Sequence, residues 1–247
     1  MEVRAMRLSC EYKTDELPVA NKMMFVSLIK EALKRVNMEY YEKLYQFEGN
    51  SNKQIKSFSF AVLLKDFDMQ GEIFNIRDRI ILNITTPDYE FGINVYNGLL
   101  NLQSFKYKDY SLNKLRITLV KEKFASEQQV VFKTMSPICM RNKEKGFIGP
   151  KDDLYVETLN YIANKNLEVH RGFGLKEPLQ FEELSMKKVV VKEEISGFKE
   201  STSKNTFYVN AYSGTFKLTG DIEDLNFIYQ SGIGFRRSQG FGMLEIV

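Results

Sequence analysis

Along its 247 residues the chain passes twice through one order of signals: strand, helix, strand, strand, helix, strand. A chain with that order has few ways to bury its apolar faces. In the first half, 2–12 alternates apolar and polar residues (Val3, Met6, Leu8, Cys10, Tyr12, with slips), as a half-buried strand does. Over 21–36, Met24, Phe25, Leu28, Ile29, Ala32, Leu33 and Val36 recur every three or four residues, which predicts one apolar helical stripe with Lys22, Lys30, Lys34 and Arg35 off it. A short helical segment follows over 39–46. The β-rich runs SFSFAVLL (57–64) and RIILNITT (79–86) predict two strands about a polar stretch with Gly71. Pro87 closes the second, Asp88 can cap a helix through NVYNGLL, and LNKLRITLVKEK (112–123) returns to a strand.

The second half repeats this order. QQVVFKTMSPI (128–138) predicts a strand and 152–164 a capped helix, while MKKVVVKEEI (186–195) and NTFYVNAYSGTFKLTG (205–220) predict two strands. A helix over 221–229 and a strand in GFGMLEIV (240–247) complete it. Each half matches the split βαβ unit. The expected fold is therefore α+β, with two tandem ferredoxin-like (β-α-β-β-α-β) domains, 1–123 and 124–247, divided in the charge-rich KEKFASEQQ.

With 43% hydrophobic and 27% charged residues, 15 Gly and 5 Pro, the chain falls outside disordered and low-complexity classes. No apolar run approaches the ~18 residues of a membrane helix, and MEVRAMRLSCEYK lacks a signal-peptide core, so a cytoplasmic protein with no membrane partner is expected. Cys10 and Cys139 have no CxxC spacing and His170 is the single histidine, which excludes cysteine zinc sites and most histidine metal sites. Counting leaves a carboxylate-only magnesium site open. Net charge is +3, yet 101–150 holds ten Lys/Arg against four Asp/Glu. That basic middle fits an anionic partner as well as a solvated surface.

The densest signal is the tail, GIGFRRSQGFG (232–242), between a predicted helix and the last strand. Glycine admits positive φ and leaves no Cβ, so backbone N–H groups can approach phosphate oxygens, and Arg236 and Arg237 would add forked cationic donors. A dinucleotide-binding loop needs strand, loop, helix, and here the order is helix, loop, strand. The bland alternative is a packing turn with solvated arginines.

The tail resembles the glycine-rich C-terminal loop of the CRISPR repeat-processing endoribonucleases of the RAMP superfamily. FKTMSPI (132–138) and GTFKLTGD (214–221) match the same family, and its two ferredoxin-like domains match the duplicated pattern. The resemblance implies metal-independent cleavage of CRISPR precursor RNA within its repeat, by attack of a 2′-hydroxyl, leaving a 2′,3′-cyclic phosphate and a 5′-hydroxyl. It implies no cofactor and no metal. The partner implied is CRISPR repeat RNA, with other CRISPR effector subunits and the choice between monomer and homodimer left open. Such a site must align the hydroxyl, take its proton, neutralise the phosphorane and protonate the leaving oxygen.

The resemblance departs at one point. Many family members carry a histidine, followed within about ten residues by a lysine, in the stretch that here reads EYYEKLYQFEGNSNKQIKSFSF, and the histidine position is Tyr45. The catalytic candidates are accordingly Tyr40, Lys43, Tyr45, Lys53 and Lys56, although Tyr41, Leu44 and Tyr45 also fit a core stripe. Unperturbed tyrosine and lysine titrate near 10 and 10.4, so either must be shifted by roughly three units to act as a base at neutrality. His170 lies in the second half, away from this segment. The RNA-binding candidates are Lys22, Arg141, Lys143, Lys145, Gly232, Gly234, Arg236, Arg237, Ser238 and Gly240. The phenylalanines carry no functional weight, because strand packing accounts for them. An inactive RNA-binding relative, or an effector-complex subunit, stands as the alternative function, and a scaffold with no RNA role as a third.

Overall fold

The structure, a computed structural model, describes residues 6–47, 50–51, 54–194 and 206–247. In the first half β1 (Met6–Lys13), β5 (Ser59–Gln70), β6 (Ile73–Thr86) and β8 (Tyr110–Leu119) form an antiparallel sheet in the order β5-β6-β1-β8. Helix α1 (Lys22–Val36) follows β1 and α3 (Tyr89–Asn101) follows β6. In the second half β9 (Gln129–Thr134), β12 (Gln180–Glu193), β13 (Phe207–Thr219) and β14 (Leu244–Ile246) take the order β12-β13-β9-β14, with α4 (Tyr155–Arg171) after β9 and α5 (Ile222–Ser231) after β13. Both halves thus place the second β-α-β unit around the first strand in the same way, which is the ferredoxin-like arrangement twice.

Smaller elements complete the first half. They are β2 (Glu16–Pro18), α2 (Met38–Tyr45), β3 (Gln46–Phe47), β4 (Asn50–Ser51) and β7 (Ser104–Tyr107). The expected strands 57–64 and 79–86 are the inner parts of a longer hairpin. Its polar end continues the ladder to Gln70↔Ile73, held by Arg77 near Asp66 and Asp68 and by the edge-to-face rings of Phe67 and Phe74. Polar composition hid these strand ends because the hairpin projects into solvent.

In the second half, α4 starts later than expected and runs seven residues beyond 164 to Gly172, whose φ of 86° ends it. A hairpin of β10 (Met140–Asn142) and β11 (Gly146–Ile148) was not expected from RNKEKGFIGP. Strand β12 begins six residues before 186, and the ends expected at 195 and 205 lie outside the described residues. Among the described residues no helix is long and apolar enough to cross a membrane.

Each half has its own core. Leu8, Cys10 and Tyr12 on β1, with Ile80, Leu82 and Ile84 on β6, pack against the α1 stripe and against Phe91, Val95 and Leu99 of α3. Phe132, Phe216 and Leu218 pack against Tyr155, Leu159, Leu225 and Tyr229. Residues 120–128 connect the halves without a helix or strand. Arg7, buried on β1, crosses to the second half, donating to the Leu244 carbonyl (3.0 Å), the Glu245 carboxylate (2.7 Å) and the Tyr229 hydroxyl. The Asn226 side chain accepts from the Ala125 N–H (2.8 Å) and donates to its carbonyl (3.0 Å). These contacts fix the two sheets relative to one another and bring the tail against the first half.

Candidate functional site

Helices α1 and α2 meet through a ladder of lysines on tyrosines. Lys30 and Lys34, one turn apart on α1, lie 4.7 Å from the ring centres of Tyr45 and Tyr41, one turn apart on α2. The two tyrosine rings stack at 5.4 Å. Lys56, on the segment leading into β5, also reaches the Tyr45 ring at 5.0 Å. Two ammonium groups therefore share one aromatic ring. Burial lowers the pKa of Lys30, with Lys34 adding repulsion, and burial with Lys30 beside it lowers that of Lys56.

Tyr45 moves the opposite way. Burial, with Tyr41 as a second cause, drives its phenol well above the usual tyrosine range. Its hydroxyl is enclosed with no hydrogen-bond partner among the described residues. Among the other candidates, Tyr40 donates to Asp88 (3.1 Å), whose other oxygen caps α3, and burial beside that carboxylate raises its pKa. It ties α2 to α3 rather than facing the lysines. Lys43 is exposed on α2, and Lys53 lies outside the described residues.

The tail packs directly against this region. Gly232 (φ 80°) sits where a Cβ would come within 2.5 Å of the Ser59 hydroxyl, and at Gly240 (φ 82°) a Cβ would lie 2.8 Å from the Phe60 ring. Gly234 packs on the Cys139 carbonyl. These absent side chains are spent on protein neighbours in the first half and the β10 region, not on an open phosphate cradle. Arg237, 5% exposed at the start of a 3-10 turn (Arg237–Gln239), donates to the carbonyls of Ser231 (3.0 Å) and Lys56 (3.4 Å). Burial brings its pKa down to about 10, so it stays cationic at neutrality while stitching the loop to the lysine segment.

Lys22 and Arg236 are also engaged. Lys22 is half-buried beneath the loop, donates to the Gly240 carbonyl and lies 4.4 Å from the Phe241 ring centre. Burial pulls its pKa down to about 8 against the opposing charge of Glu193. Arg236 donates to the buried Glu193 (2.5 Å) and lies over the Phe207 ring. Of the expected phosphate contacts, Lys22 and Arg237 thus hold the loop in place.

Two adjoining grooves flank the loop. One, of about 820 Å³, is bordered by Lys56, Lys165, Arg236, Arg237 and Ser238, with no carboxylate in its wall. The other, of about 650 Å³, is bordered by Arg141 and Lys143 of the β10–β11 hairpin and by Glu144 and Glu157 of the second half. Tyr161, Ile162 and Phe235 belong to both walls. Lys145 turns instead to Asp152 (3.2 Å). The basic middle does not form one patch: Lys114 bonds α3 carbonyls, and Arg116 and Lys123 pair with Glu11 and Glu245. His170 lies at the end of α4 beside the Phe227 ring, its pKa lowered by burial, and borders neither groove.

Sequence reading missed Lys30, Tyr161, Lys165 and Phe235. The i,i+4 spacing of Lys30 and Lys34, matched by that of Tyr41 and Tyr45, carried a signal for the first.

The family model for the C-terminal region of CRISPR associated protein Cas6 matches residues 120–246, just over half of the chain. The chain belongs to the Cas6 family. The CRISPR-associated endoribonuclease Cas6 1 of Methanocaldococcus jannaschii is 25% identical over 254 aligned positions, covering 97% of this chain and 92% of that relative. A Cas6-related protein from Pyrococcus furiosus has the same fold, with a TM-score of 0.82 at 19% identity and 99% of each chain covered. A structure described as an RAMP protein binding different RNA substrates superposes with a TM-score of 0.80 at 19% identity, covering 98% of this chain and 99% of the other. This Cas6 chain is therefore a homologue of endoribonucleases, with the tandem ferredoxin-like architecture of RAMP proteins.

Proposed function

We propose that this chain processes CRISPR precursor RNA, cutting within the repeat by 2′-hydroxyl attack without a metal and leaving a 2′,3′-cyclic phosphate. The observation that carries the reading is the pair Lys30 and Lys56 on the Tyr45 ring, at the point where the tail loop meets the first half. Burial shifts both lysines in the direction a base needs. The neutral one takes the proton of the 2′-hydroxyl as its oxygen bonds to phosphorus. The charged one faces the phosphorane and gives its proton to the departing 5′-oxygen. Tyr45, held protonated, is a platform that keeps the two amines together. The repeat RNA lies along the adjoining grooves, with Arg141, Lys143, Lys165 and Ser238 along its path. We place the boundary between the domains, 1–123 and 124–247, in the connector.

A second reading has one observation behind it. The enclosed phenol at the family's histidine position leaves no group there with an ordinary pKa near neutrality, which suits a protein that holds RNA without cutting it. Incubation with the repeat RNA in EDTA, followed by analysis of the product ends, separates the two. A single cut with a cyclic phosphate is expected. Tight binding with no cut, in EDTA or magnesium, would give the second reading.

A further inference from the structure

Within 231–243 every residue is buried or half-buried except one, and that one is a phenylalanine. Phe235 is 39% exposed. A loop so tightly packed elsewhere would ordinarily turn a polar residue outward and an apolar one inward. The backbone around this ring is held on both sides. Gly234 and Arg236 on either side are both left-handed, at φ 82° and 61°, and the Phe235 N–H is pinned to the Cys139 carbonyl at 2.8 Å. The backbone that carries the ring is thus held in place and needs little further ordering for the ring to bind.

Its neighbours say what it faces. Tyr161, 56% exposed on α4, stands in the same two groove walls, and Lys56, Lys165 and Arg236 line the groove beside it, Lys165 paired with Glu168 (2.6 Å) and Arg236 with Glu193 (2.5 Å). A groove lined by basic side chains, with an exposed aromatic ring carried on a held backbone, is the combination that tracks a phosphate backbone and stacks an unpaired base. In a duplex only a terminal pair has a free face, whereas a ring set along a groove wall meets one wherever the strand is unpaired.

Resting on the reading of this chain as an RNA-processing enzyme, we propose that Phe235 stacks one unpaired base of the repeat RNA, with Tyr161 beside it, so that the segment in the groove is bound single-stranded.

The test uses full-length protein and a repeat RNA made 2′-deoxy around its cut site so that it stays intact, with 2-aminopurine walked along the sequence. Quenching on binding is expected at one position or two adjacent ones, retained in Phe235→Trp and lost in Phe235→Ala. Phe235→Ala should weaken binding about tenfold. Removing the base at the quenched position should weaken wild type by a similar factor and leave Phe235→Ala unaffected. Normal binding without position-specific quenching, or equal losses for Phe235→Ala on intact and abasic RNA, would overturn the stacking role. Failure of wild type to bind the RNA at all would overturn the underlying reading, and this inference with it.

Discussion

Tyr45 would be a poor base if it had to take a proton, and burial makes it poorer by raising its pKa. The same burial makes Lys30 and Lys56 better bases. With one lysine neutral as base and the other charged as acid, the cleavage rate should rise with pH as the base loses its proton and fall as the acid does, and the lowered pKa values move both limbs below the range of an ordinary lysine. Arginine keeps the charge but does not give up its proton. Lys30→Arg and Lys56→Arg should each retain RNA affinity and lose about a hundredfold in single-turnover rate, the variant at the base losing the rise with pH and the variant at the acid the fall. Tyr45→Phe, which keeps the ring, should cut at close to the wild-type rate. A large loss in Tyr45→Phe would assign the hydroxyl a direct part. Tyr45 is a candidate through the family motif alone. The spacing of Lys30 and Lys34 matches that of Tyr41 and Tyr45, but a lysine off an apolar stripe looks solvated until the facing helix is known.

The tail is an element whose composition was plain and whose purpose was not. Four glycines and two arginines read as a phosphate cradle, yet Gly232 and Gly240 make room for Ser59 and Phe60, and Arg237 bonds two carbonyls. Sequence gives the conformational freedom of a glycine but not the neighbour that requires it, and here that neighbour lies some 180 residues earlier. Gly240→Ala adds a methyl group 2.8 Å from the Phe60 ring at a backbone φ of 82°, so it should lower stability by about 2 kcal/mol in urea unfolding. RNA affinity, measured where the variant is still folded, should follow the stability of the loop. Full stability with lost affinity would restore the cradle.

At the scale of the molecule, the duplicated order of elements was legible because each half repeats the same periods, whereas the way the halves meet was not. Their junction depends on Arg7, an isolated charge in a strand pattern, and on the connector that follows β8. The connector carries Glu122, with one carboxylate oxygen enclosed and unpartnered, and burial lifts its pKa to about 7 although Arg7 pulls the other way. The sign of its effect on stability follows. Between its ordinary value of 4.5 and about 7 the folded protein keeps a proton that the unfolded chain gives up, so this group's contribution falls as pH rises through that window. Above it, the folded protein holds a poorly solvated charge between its halves. Glu122→Gln cannot ionise. Its melting temperature should match wild type near pH 4.5, diverge upward as pH rises through the window and keep a constant excess above about pH 7, with the gap traced by thermal unfolding across the series. A constant offset at every pH would mean that glutamine only repacks the connector, and no offset that the carboxylate is solvated in the folded protein.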